Sequence, residues 1–479
     1  MLFNSLAFAA FLTVVFTLYW GVFAKAIRAR NVFILIASYV FYGAWDWRFL
    51  LLIAFSTAVD YVAALAMEKS TSPKRRKGLL AVSLIVNIGL LAYFKYAGFF
   101  VESFAAVIEM ISGYRPPELT LNIILPVGIS FYTFQTLSYT IDVYRGKISA
   151  TKDFVKFAAF VAFFPQLVAG PIELAANLLP QFDEKKKFTY QMGSTGMRLI
   201  VWGLFKKMVI ADNCAPYVNE IFANHAELPS AVLAMGAVLF AFQIYCDFSG
   251  YSDIAIGTAR LLGFDLTVNF RYPYFSSDMA EFWRRWHISL STWFRDYVYI
   301  PLGGSRRSVS HIYKNLLVIF LVSGLWHGAD WTFVAWGGLN ALYFFPLVGL
   351  KRNRRHLDTV AANRRWPTVS ELLSILATFA LTCVAWVFFR AESMGDAWRY
   401  LKRMGTAHAL PENFRFFPPL LLALIAFLIA IEWNARRENP DEWMGRLPRF
   451  NRYALYVVLF VLWFFFSAGE AEEFIYFQF

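Results

Sequence analysis

Between Leu316 and Leu350 every residue is apolar or small except Ser323, His327, Asp330, Thr332 and Asn340. Arg306, Arg307 and Lys314 precede the run, and the basic cluster Lys351 to Arg355 follows it. At about 1.5 Å per residue the run is roughly 55 Å long if helical, too long for one crossing of a ~30 Å hydrocarbon core and suited to two. The pattern predicts a helical hairpin in a membrane. It carries one imidazole, in Gly324-Leu325-Trp326-His327-Gly328. Counted from Lys314, His327 lies roughly 18–20 Å in, near or just past the bilayer midplane. A titratable side chain there is costly and is by default a functional candidate; the competing reading is a buried histidine bonded to a neighbouring helix.

The rest of the chain has the same character: 58% of its 479 residues are hydrophobic and 16% are charged, with a mean hydropathy of +0.48. The class is an all-α polytopic membrane protein. The net charge of +12 is spread in short basic clusters between apolar runs, which is the positive-inside pattern and not a nucleic-acid surface. Basic loops at Lys25 to Arg30, Lys69 to Lys77, Lys351 to Arg365 and Arg436 to Arg452 are expected in the cytoplasm, with both termini outside. Cys214, Cys246 and Cys383 are scattered among apolar segments and suggest neither a disulfide framework nor a metal site. Leu2 to Phe23 reads as a retained span, and no second soluble domain or internal repeat is visible.

Several features interrupt regular spans. Phe163-Phe164-Pro165-Gln166-Leu167-Val168-Ala169-Gly170-Pro171 breaks any helix, as is tolerated where backbone is buried or lines a cavity. Asp247 and Asp253, six residues apart, point about 240° away from each other on a helix and are not a paired-carboxylate site. They are expected to give structural support at a helix break near Gly250. Asp278-Met279-Ala280-Glu281 resembles a capping box, opening an amphipathic helix at the membrane face. That helix carries Phe282, Trp286, Trp293 and Tyr297 on neighbouring stripes, with Arg284, Arg285 and Arg295 elsewhere on its surface. His287 lies within it, and Pro301 to Arg307 forms a basic turn.

These residues offer a neutral imidazole as general base, a second histidine near a basic face, and helix breaks able to line a passage. A base activating an alcohol toward a thioester needs little more. Arg284, Arg285, Arg295 and Arg306 are candidates for binding a polyphosphate donor, or alternatively anchors on anionic lipid.

Arg284-Arg285-Trp286-His287-Ile288-Ser289-Leu290-Ser291-Thr292-Trp293-Phe294-Arg295-Asp296-Tyr297, then Tyr299 to Gly304, then Leu325-Trp326-His327-Gly328 resemble the membrane-bound O-acyltransferase (MBOAT) superfamily. The likeness is to the bacterial branch that O-acetylates alginate and other extracytoplasmic polysaccharides. Phe164 to Pro171 and the terminal Phe474-Ile475-Tyr476-Phe477-Gln478-Phe479 match that branch too. The resemblance implies one integral membrane domain over 1–479, with roughly 10–12 transmembrane helices plus re-entrant and interfacial helices around a central tunnel. Within it, 1–113 are N-terminal spans, 119–350 the catalytic core, 366–468 C-terminal spans, and 469–479 an extracytoplasmic aromatic tail. It implies His327 as catalytic base, supported by Trp326. It places His287 on the donor side, orienting the thioester or protonating the leaving thiolate. It implies acetyl-CoA or another acyl thioester as donor, with no bound cofactor and no metal. An SGNH-type extracytoplasmic partner that modifies the polysaccharide is implied as well, and the setting is the bacterial inner membrane. The tail adds Tyr476 as a candidate acyl carrier: six largely aromatic residues in water must dock somewhere, and a phenol becomes a nucleophile once a base removes its proton; the alternative is a tail that only anchors at the interface or docks the partner. A transporter or flippase for a lipid-linked glycan is the other class to weigh, and a structural scaffold a third.

Overall fold

The computed structural model describes residues 1–114, 123–168, 170–408, 415–467 and 474–475, all in helices, turns and irregular segments without a strand. Eight helices among the described residues are long and apolar enough to cross a membrane, and Phe154–Leu167 and Pro419–Ala435 are shorter apolar pieces. The chain divides into two compact units, 1–190 with 259–266, and 191–258 with 267–479.

In the first unit, helices Arg48–Lys69, Pro73–Leu91 and Ile129–Tyr144 pack together. Their apolar faces enclose Asp60, whose carboxylate accepts from Ser83 Oγ at 2.6 Å and Asn87 Nδ2 at 3.0 Å. Ser56 in turn donates to Asn87 Oδ1 at 2.7 Å. Buried polar groups between apolar helices must satisfy one another, so this cluster fixes the register of the bundle. Among the described residues of the stretch beginning at Leu119, 123–128 are irregular and the helix starts at Ile129, after Pro126 and a left-handed Gly128 (φ 76°). A Cβ at Gly128 would meet the Leu167 carbonyl at 2.6 Å. The Phe163–Pro171 interruption is real, with helices ending at Val161 and restarting at Phe164; Ala169 lies outside the described residues.

In the second unit, Val309–His327 and Trp331–Gly349 form the expected hairpin, turning at Gly328-Ala329-Asp330. Asp330 caps the second helix by accepting from the Thr332 N–H at 2.7 Å. The two helices meet backbone to backbone: a Cβ at Gly324 would lie 2.2 Å from the Phe333 carbonyl oxygen, and one at Gly337 2.2 Å from that of Phe320. His327 is the last residue of its helix, at the turn.

Two sequence expectations fail in this unit. The helix containing Asp247 and Asp253 does not break at Gly250 but runs from Ser230 to Leu261 without interruption. Gly250 serves a close crossing: its Cβ would meet the Gly203 carbonyl at 2.7 Å, and one at Gly257 would meet that of Gly196 at 2.5 Å. Conversely, the amphipathic helix opened by Asp278 is two helices, Met279–Arg285 and Ile288–Phe294. Asp278 caps the first through the Glu281 N–H at 2.7 Å. The Glu281 side chain, however, reaches Ser277 N–H and Arg285 rather than the Asp278 N–H of a capping box. The segment is not a surface ribbon either, since Trp286, Phe282 and Trp293 are buried.

Candidate active site

The break between the two short helices falls on His287, which adopts φ 43° and ψ 56°. A non-glycine residue in the left-handed region is strained by about 1 kcal/mol or more and persists only where its surroundings hold it. Here the extended segment before Tyr272 does so. Asn269 O accepts from Ile288 N at 2.9 Å, and Arg271 N donates to Arg285 O at 2.9 Å. The Asn269 side chain completes the clamp: its Oδ1 accepts from Ser289 N (3.2 Å) and Ser289 Oγ (2.9 Å) and lies 3.1 Å from His287 Nδ1.

That network assigns the tautomer. A backbone N–H only donates, so the Asn269 atom facing Ser289 N is the carbonyl oxygen, and His287 Nδ1 must carry the hydrogen that points at it. Nε2 then holds the lone pair. His287 is fully buried and lies outside the eight apolar spans; burial pushes its pKa down to about 3, so the ring is neutral.

The structure brings His287 and His327 together, their ring centroids 6.4 Å apart. Trp326 packs against both, 5.9 Å from His287 and 5.0 Å from His327. Trp336 and Phe389 meet the His327 ring edge-on at 5.0 and 5.4 Å. His327 is 2% exposed, so it sits in a water-poor aromatic box where charge stabilisation by solvent is weak.

The other candidates divide. Asp247 and Asp253 are the acids of two buried ion pairs, with Lys207 and Lys206, each at 2.7 Å. Lys207 is shared with Asp212 at 2.8 Å. Tyr245 beside Lys206 donates to Glu432 at 2.7 Å. These lysines occupy a π-helical stretch, Phe205–Ala211, between the contiguous helices Tyr190–Leu204 and Asp212–Ala223. The arginines do not converge on the histidines. Arg284 donates to the carbonyls of Asn353 and His356, Arg285 pairs with Glu281, and Arg295 pairs with Asp296; Arg306 lies exposed in the basic turn.

Of the C-terminal tail, the described residues are Phe474 and Ile475, and they dock. Phe474 and Ile475 are buried, with the Phe474 ring 4.4 Å from Tyr251 and 5.7 Å from Phe248. Phe248 stands edge-on to His287 at 4.6 Å. Tyr476 lies outside the described residues, as do Glu470, Glu472 and Glu473.

Residues not singled out from the sequence are Lys206, Lys207, Asp212, Asn269 and Phe248. The two lysines were detectable: adjacent cations within Leu199 to Ala211 demand buried acids. Asn269 offers no comparable signal, because its role depends on an extended segment folding back over the helix break.

The sequence model of the MBOAT, membrane-bound O-acyltransferase family matches residues 145–389. The chain is 42% identical over 407 residues to the probable alginate O-acetylase AlgI of Pseudomonas aeruginosa, covering 84% of this chain and 75% of that protein. It is 36% identical over 435 residues to the peptidoglycan O-acetyltransferase of Helicobacter pylori, covering 84% and 80%. The teichoic acid D-alanyltransferase of Bacillus subtilis is 26% identical over 396 residues, covering 78% and 94%.

Proposed function

The chain belongs to the membrane-bound O-acyltransferase family, and from that premise we propose that it carries an acetyl group from cytoplasmic acetyl-CoA to its own Tyr476. An SGNH-type extracytoplasmic partner would then pass the group to a surface polysaccharide of the alginate or peptidoglycan kind. The observation that carries this reading is the pair of buried histidines 6.4 Å apart, with the tail's Phe474 one aromatic ring away from His287.

In this mechanism His327 removes the phenol proton and the phenolate attacks the thioester carbonyl. The C–S bond breaks, and the imidazolium of His327 returns the proton to the departing thiolate, giving free coenzyme A thiol. The product is an aryl ester, which a serine of the partner opens readily because phenolate is a good leaving group. His287 takes a different role from leaving-group protonation. With Nδ1–H committed to Asn269, its Nε2 accepts a hydrogen bond from an N–H of the acyl donor and orients it. The arginines at 284, 285, 295 and 306 would supply the positive face that polyphosphate approaches from the cytoplasm. The basic loops between spans favour that orientation, with both termini outside.

Sealed inner-membrane vesicles test the reading, because acetyl-CoA does not cross them. With the cytoplasmic face outward, added acetyl-CoA is expected to leave one acetyl group on the C-terminal peptide by mass spectrometry, at Tyr476 and not in Tyr476→Phe. Vesicles of the opposite sidedness are expected to stay unlabelled. Polymer acetylation by Tyr476→Phe at the parental rate, with the ring kept and the oxygen gone, rules the carrier out.

His287 has its own signature. His287→Asn, whose amide oxygen still accepts, is expected to lose about tenfold in transfer, and His287→Ala about a hundredfold. Neither should move the acid limb of the pH–rate profile, since burial keeps this imidazole neutral down to about 3. An acid limb that shifts in His287→Asn would make His287 the titrating base instead.

A further inference from the structure

At Ile475 the tail makes a polar contact, and it falls on an ion pair. The backbone N–H of Ile475 donates to Asp247 Oδ2 at 2.7 Å, while Oδ1 of the same carboxylate binds Lys207 at 2.7 Å. Lys207 is 1% exposed and Asp247 2%. A carboxylate in such surroundings needs every acceptor position filled, so seating the tail satisfies an oxygen that burial makes costly to leave unmatched. One and four residues further along the same helix, Phe248 and Tyr251 receive the Phe474 ring. Asp247, Phe248 and Tyr251 therefore form one receptor face, in which the carboxylate reads the peptide and the rings read the side chain.

We propose that Asp247 is a positioning residue for acyl transfer: held in place by Lys207, it fixes the register of the C-terminal tail against the two histidines. The proposal rests on the tail reading above and deepens it. A backbone hydrogen bond sets how far along the chain the tail is drawn in, irrespective of side-chain identity. It acts one peptide bond before Tyr476, and Phe248, the ring that Phe474 leans on, also borders His287. Slippage by one residue would present Ile475 or Phe477 in place of the phenol.

Ile475→Pro is the sharpest test, because it deletes the donor and leaves Asp247, Lys207 and Asp212 untouched. The full-length protein is purified in detergent with Phe474→Cys added, a position buried in the seated tail, and its labelling by a polar maleimide is timed; Cys214, Cys246 and Cys383 are all buried. Loss of one hydrogen bond to a charged acceptor predicts roughly tenfold to a hundredfold faster labelling in Ile475→Pro and Asp247→Ala. Ile475→Val, which keeps the N–H, is expected to label as slowly as the parent, and Asp247→Asn, which keeps an acceptor oxygen, to fall between. Polymer acetylation is expected to fall in the order in which labelling rises. Unchanged labelling in both Ile475→Pro and Asp247→Ala overturns the seat, whatever Tyr476→Phe does. Parental acetylation by Tyr476→Phe removes the carrier role instead and leaves the labelling result standing.

Discussion

His327→Ala is expected to lower acyl transfer by about 10²- to 10⁴-fold, the range for removing a positioned general base, while the protein still folds and inserts. The ring sits among Trp326, Trp336 and Phe389, so alanine also leaves a small cavity. His327→Gln separates the two effects, because it keeps most of the volume and removes the titratable nitrogen. Both variants should lose activity alike, with the glutamine variant melting close to the parent. Substantial acetylation by either would move the base elsewhere, and His287 is the only other imidazole in direct reach of the same tryptophan among the described residues.

The largest expected effect on stability comes from Lys207→Met. Its ammonium balances Asp247 and Asp212 together at 2.7 and 2.8 Å, and removing one partner of a buried pair costs about 3–5 kcal/mol because the remaining charge is left uncompensated. Thermal unfolding in detergent should show a clear loss of melting temperature. Adding Asp247→Asn removes one of the two stranded charges and should recover part of that loss. A single variant that melts with the parent would show that water reaches the cluster and that the pairs contribute little.

The apolar runs of this chain name its helices because every membrane-embedded peptide group must bond within its own segment. The hairpin around His327 and the Phe163 interruption were legible for that reason, and the Asp278 cap because an aspartate side chain accepts from the free N–H groups of a first turn. The errors have a common origin. Gly250 flanked by two aspartates looks like a capped break, yet the glycine admits a neighbouring backbone at Gly203 and the acids face lysines. Trp286-His287 looks like the middle of an amphipathic helix, yet the chain kinks there through a left-handed histidine held by Asn269. In both cases the deciding partner lies far along the sequence, where periodicity carries no information about it.

Ile475 and its acceptor Asp247 belong to the same polypeptide, and this bears on how such a site behaves at low abundance. A tethered segment meets its seat at an effective concentration in the millimolar range, set by the length of chain between them and not by the number of molecules in the membrane. Occupancy is then the same in a sparsely and a densely populated membrane. A separate peptide of the same sequence would compete only at comparable millimolar levels. Sensitivity to protein density is left to whichever later encounter requires a second molecule.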